Sequence, residues 1–502
     1  MNLYVFSIGG SGVRVLHSLT MLLAAGVKMK STEVIPVIID TDEKNGNTLT
    51  TLAGIEHYCN IYDRVSKMNG NKTKLNNKEV DRTSLFATKI AKPRIVTISG
   101  TALGDLKTVV GENAVGIDPE LKTLLRTLYE EDELDMLLTH GFIGHPNIGC
   151  VVLNYLFKTD ETFKNTAKEI QKDDKIFLIS SIFGGTGAAG FPLMLNILNH
   201  SKDEDAPLNK KNNIKGALSI VPYYTVGDTS NDVDNSALNA TDAGGNKKYS
   251  VNSGLFDSKT FAAQLYYDSY IDDIDVMYYV GDKKYKSRYD NYLGGKNQNN
   301  PAHVVEMFGA LSIAHFDNEK NKDNKFEYAN LIFDTDDSDL TAGSNEELCE
   351  SLIRLWMFRR FFINYLPENY LSNNQQFLQD IGYNGNNYEE NKPESFSLNM
   401  KNFLAIFEKW TKDLNNEQKH TRKFKFVDIN ANPEDEFVHC GFEDRKPNEG
   451  GFLKKTIIQS NLLGFLNEVA KKNLNVDVAD VHSRITRYAA QVIDEIINSN
   501  MK

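Results

Sequence analysis

The run Leu3-Tyr4-Val5-Phe6-Ser7-Ile8 is apolar and β-rich, and it ends in Gly9-Gly10-Ser11-Gly12. Apolar residues at helical spacing follow at once through Val13, Leu16, Leu19, Leu22 and Leu23. A second run, Glu33 to Ile39, is rich in Val and Ile and stops at Asp40-Thr41-Asp42. Strand, helix and strand in this order make a β-α-β unit. Strands apolar along their whole length suit a parallel sheet covered on both faces.

The pattern recurs outward from this unit. Pro93–Ser99, Lys175–Ile182, Gly216–Tyr224 and Ile274–Val280 read as strands. Pro119–Thr139 reads as a Leu-rich helix, with Asp118 as its cap and Pro119 at the first helical position. Asn147–Phe157 starts another helix, one follows Gly187, and Pro301–Phe316 forms a long apolar one. Alternation over about 315 residues predicts a doubly wound α/β domain. Past residue 340 the character changes: Asn345–Leu366, Ser397–Leu414, Lys454–Lys472 and Val478–Ile497 read as amphipathic helices. They are expected to pack on their own domain, with a protein-partner surface as the alternative. The division is a nucleotide-binding domain over 1–318 and a mostly helical domain over 319–502.

Composition narrows the class. The 502 residues carry 56 Lys and Arg against 68 Asp and Glu, a net charge of −12, which argues against nucleic acid as a partner. Four cysteines (Cys59, Cys150, Cys349 and Cys440) lie far apart with no C-x-x-C pair. That excludes a zinc ribbon or disulfide scaffold and favours a reducing compartment. The amino terminus lacks the basic leader of a signal peptide, and no stretch approaches the ~18 apolar residues of a membrane span. The expectation is a cytoplasmic protein.

Two glycine-rich loops carry the chemistry. Gly9–Gly12 and Gly184-Gly185-Thr186-Gly187 each follow a strand and open a helix, where free N–H groups and the helix dipole favour phosphate. The first loop alone reads as either a phosphate loop or a tight turn. No G-x-x-x-x-G-K-[ST] occurs, and G-x-G-x-x-G is missed as well. A dinucleotide fold needs one such loop; two on neighbouring strands would clasp a polyphosphate from both sides.

Together these segments resemble the tubulin/FtsZ superfamily, and its divergent prokaryotic members rather than FtsZ itself, because the C-terminal half does not match. Gly184–Gly187 resembles the family's G-G-G-T-G-[ST]-G loop, with Phe183 in place of the first glycine and Ala188-Ala189 in place of the last pair. Ile8–Gly12 resembles the first phosphate loop, with Val13 after it a further nucleotide-binding candidate, and Asp40-Thr41-Asp42 resembles the segment beside nucleotide and metal. Gly141–Gly149, with Gly144, His145, Pro146 and Asn147, resembles the loop that senses the terminal phosphate. Asp282 follows Gly281 where the family has Asn-Asp, and Asn300–Phe316 resembles the core helix that touches the base. His303 would stack on a purine or hydrogen-bond to it, or simply pack.

The resemblance implies GTP or GDP with Mg2+, head-to-tail self-assembly into filaments, and GTP hydrolysis at the subunit interface. In Asp334-Thr335-Asp336-Asp337-Ser338-Asp339, Asp336 and Asp339 would act on the neighbouring subunit's nucleotide; the run also reads as a solvated turn. No protein-built metal cluster is expected. Two alternatives stay open: a non-hydrolysing nucleotide switch or scaffold in the same fold, and a dinucleotide-dependent enzyme.

Overall fold

The computed structural model describes residues 1–66, 73–75, 78–80, 85–98, 104–112, 117–138, 141–200, 213–229, 253–267, 274–292, 294–320, 327–334, 339–341, 346–367, 376–380, 382–383, 395–415, 422–427, 429 and 481–500. Its centre is an eight-stranded sheet: β1 Leu3–Ile8, β2 Glu33–Ile39, β3 Lys89–Ile90, β4 Arg94–Val96, β5 Lys175–Ser181, β6 Lys215–Ile220, β7 Val276–Asp282 and β8 Glu327–Phe333. The order is β8-β7-β6-β5-β1-β2-β3, with β4 also on β2, and every pairing is parallel. The predicted β-α-β opening is present, in register from Leu3 opposite Val34 to Ile8 opposite Ile39.

Parallel neighbours need crossovers, and helices supply them. The longer ones are α1 Gly9–Ala24, α2 Gly46–Val65, α3 Pro146–Thr159, α4 Thr186–His200, α5 Phe256–Tyr267, α6 Val304–Glu319, α7 Glu346–Arg360, α8 Phe396–Leu414 and α9 Val481–Asn500. Helix α1 packs with α2 and α6, while α3 packs with α4. Every residue of β1, β5, β6 and β7 is buried, so the sheet is covered on both faces.

Several boundaries differ from the sequence expectation. The helix from Pro119 ends at Leu128 rather than Thr139, and a separate short helix spans Glu131–Leu134. Asp118 does cap it, accepting from the Glu120 N–H at 2.8 Å. Helix α6 starts at Val304, not Pro301, because His303, in extended conformation, caps it. The sheet also runs past residue 318, since β8 returns after α6 to lie parallel beside β7.

The C-terminal helices seat on the α1–α2 layer. Helix α8 lies along α2, where Phe403 joins Tyr58 and Phe86 with ring centroids 5.2–6.1 Å apart. Asn399 accepts from the Asn60 amide at 3.0 Å and lies 2.9 Å from the His57 ring. The Trp410 indole donates to Ser18 of α1 at 3.0 Å. Helix α9 also packs on α2 and on α7, which continues into a single π-turn at Phe361–Tyr365. The predicted helix Lys454–Lys472 lies outside the described residues. Among the described residues no helix is long and apolar enough to cross a membrane.

Candidate functional site

Strand order locates the site. From β1 the chain builds outward through β2 to β3 and β4, then returns to the other side of β1 with β5 and builds the opposite way. Loops leaving β1 and β5 therefore diverge, and a crevice opens at their carboxyl ends. Both glycine-rich loops leave from there. They meet around a cavity of about 160 Å³ lined by Gly9, Gly10, Ser11, Gly184, Gly185, Thr186 and Gly187.

The glycines are required by geometry. Gly9 has φ +74°, and a side chain there would also stand 3.0 Å from the Thr186 Cβ. At Gly187 a Cβ would lie 2.7 Å from the Ser181 nitrogen, so α4 approaches its strand only without one. Gly10 faces open space. No side chain caps α1, which leaves its first N–H groups aimed at the cavity mouth.

The loop Gly141–Gly144 closes another side, strained at Ile143 with φ +45°. His145 and Asn147 lie just behind it. The Asn147 amide donates to Glu133 at 3.0 Å, and His145 Nδ1 lies 3.2 Å from the same oxygen. Burial disfavours the Glu133 charge, but hydrogen bonds from Asn147, the Glu130 N–H and His145 hold its carboxyl below the usual value.

Asp40 and Asp42, both buried just after β2, also line the cavity. Burial first, and the Asp42 charge second, push Asp40 up to about 7. Asp42 accepts from the Gly295 N–H at 2.8 Å and the Asn45 amide at 3.2 Å. Asn47 accepts from the Asn300 N–H at 2.9 Å, which ties the start of α2 to the segment before α6.

Compared with known proteins, the chain matches no family model, and no curated protein matches it.

Eleven residues singled out in the sequence line this cavity: Gly9, Gly10, Ser11, Asp40, Asp42, Gly144, Gly184, Gly185, Thr186, Gly187 and Asn300. Gly12, Val13, Thr41, His145, Pro146, Asn147 and Ala188 sit next to lining residues without lining it. One expectation needs correcting. Asp282 is 0% exposed and its carboxylate is taken by Arg422 at 2.6 Å, so it anchors the C-terminal half rather than a nucleotide. His303 caps α6, its Nδ1 accepting from the Val305 N–H at 3.1 Å, with its ring 4.8 Å from Tyr223. Its other nitrogen is buried with no hydrogen-bond partner, and the residue lines a second cavity of about 340 Å³ that shares Tyr292 and Asn300 with the first. Asp336 lies outside the described residues. Asp339 begins the short strand Asp339–Thr341, which pairs with Lys423–Lys425.

Sequence reading missed Arg14, the aromatic wall and the Asn45/Asn47 corner. Arg14 is buried 2.6 Å from Glu306, donating also to the Tyr289 hydroxyl at 3.0 Å and the Pro301 carbonyl at 2.6 Å. Burial opposes its charge, yet Glu306 holds the guanidinium protonated. Phe183, which departs from the glycine signature, packs against Phe256 and Tyr224 at 4.8 and 5.5 Å and forms the cavity's apolar wall with them. Only Asn45-Gly46-Asn47 carried a local signal, a polar turn opening a helix.

Proposed function

We propose that this chain is a tubulin/FtsZ-like nucleotide-binding protein that takes GTP with Mg2+, assembles head to tail, and turns over GTP where subunits meet. One observation carries the reading: two glycine-rich helix starts on adjacent parallel strands converge on one cavity that a pair of carboxylates also lines. A dinucleotide-dependent enzyme gives the second loop no task.

The residues fit both ligands. The N-termini of α1 and α4 offer backbone donors to a polyphosphate. Asp40 and Asp42 present oxygen donors of the kind Mg2+ prefers, and the cation would offset the burial and the Asp42 charge that together raise the Asp40 pKa. Mg2+ when bound would neutralise charge on the phosphates. The second cavity, which His303, Tyr292 and Asn300 line, supports a place for the base. Asp336 and Asp339 remain the proposed acidic pair that completes a neighbour's site, positioning water as such residues do in phosphoryl transfer.

The test is thermal unfolding with GTP, ATP and NAD, each with Mg2+, followed by turnover against protein concentration. GTP is expected to raise the melting temperature, and activity per subunit to grow with concentration. A rise with NAD alone would leave the dinucleotide reading standing. GTP binding without turnover at any concentration would favour the non-hydrolysing switch, and turnover unchanged by Asp336→Ala and Asp339→Ala would remove those residues from the chemistry.

A further inference from the structure

The Asp, Glu, Lys and Arg residues that line the cavity are Arg14, Asp40 and Asp42. Arg14 is committed to Glu306, so the wall facing a polyphosphate is acidic on balance. Cation on the Asp pair would offset one side. The side formed by Gly141–Gly144 has no cation in its own lining. One comes from α5, whose first residue, Phe256, lines the cavity. One turn on, the Lys259 ammonium donates to the Gly144 carbonyl at 2.9 Å and lies 3.7 Å from where a Cβ on Gly144 would stand. It is half-buried, and that carbonyl is its one hydrogen-bond partner among the described residues. An ammonium has three donors, so two are left over. Burial also lowers its pKa from the ordinary lysine value, which marks a cation short of counter-charge.

We propose that Lys259 lets the site tell a nucleoside triphosphate from a diphosphate, its ammonium reaching past Gly144 to the terminal phosphate. This rests on the nucleotide reading above. A backbone grip at Gly9 and Gly187 serves any phosphate, whereas a cation beside Gly144 engages only the group that reaches that loop. The exchange needs no backbone movement: the lysine trades a neutral carbonyl for a charged oxygen.

The experiment is calorimetric titration of the full chain with GDP and with a non-hydrolysable GTP analogue, both with Mg2+. Wild type is compared with Lys259→Met and Lys259→Arg. A charge-assisted hydrogen bond predicts that Lys259→Met loses about tenfold or more in affinity for the analogue and less than about twofold for GDP. Lys259→Arg should recover most of the loss. Equal losses for both ligands would mean that Lys259 only braces the loop, and no loss for either would remove its role; both overturn the proposal while the nucleotide reading stands. Wild type that binds neither ligand overturns both.

Discussion

His303 accepts from the Val305 N–H through Nδ1, so its ring is neutral and carries its proton on Nε2. Burial first, then the charges of Arg14 and Arg422, lower its pKa from 6.5 to about 3. Between those values the unfolded chain holds a proton that the folded one does not. Stability from this residue is therefore full above pH 6.5 and falls as pH drops toward 3, by about 1.4 kcal/mol per pH unit. Asparagine caps helices well and does not titrate, so His303→Asn should keep α6 while losing that dependence. Urea unfolding between pH 6 and pH 4 should give the variant a shallower slope by roughly this amount; equal slopes would show that the ring is not buried neutral. Asp40, raised to about 7, acts in the opposite sense, its contribution falling as pH rises toward 7, and it cancels in the comparison. The sequence marked His303 as a helix-start histidine. Its capping role required knowing that Tyr223, Arg14 and Arg422 would close around it.

Among the elements, α8 is the one whose placement the amphipathic pattern left open. The structure lays its apolar stripe on α2, with Phe403 between Tyr58 and Phe86 and Trp410 against α1. Truncating Phe403 to Ala should cost about 3–5 kcal/mol, because a buried aromatic removed from packed neighbours leaves a cavity they cannot fill. Chemical denaturation would measure it. A loss under about 1 kcal/mol would mean that α8 is only loosely seated. Helix α2 also begins at the Asn45–Asn47 corner of the site, so α8 braces a wall of the cavity from behind. The 3.6-residue period announces an apolar stripe; it does not say which surface will cover it.

For the whole molecule, charge is the quantity that bears on assembly. A subunit with net charge −12 repels its copies, and added salt screens that repulsion over about 10 Å at 0.1 M. Nucleotide-dependent assembly, followed by sedimentation, should therefore strengthen as salt rises from low values. Weakening instead would point to an interface held by opposite charges. The same long-range view explains why some acidic residues were misassigned. Asp282 ends a strand at the right sheet edge for a ligand contact, but Arg422, 140 residues later, folds back onto it.

What the sequence determined by itself was local. Apolar runs of strand length, glycines at strand ends and 3.6-period helices set the α/β alternation and both phosphate-type loops, because each depends on residues a few positions apart. The order β8-β7-β6-β5-β1-β2-β3 was decided only in three dimensions, and so was the meeting of the two loops at one crevice. The same holds for which charges are spent on each other: Arg14 on Glu306, Asp282 on Arg422, and Lys259 left facing Gly144. Those pairings join residues more than a hundred positions apart. No short-range pattern encodes them; they follow from burying both faces of a single parallel sheet.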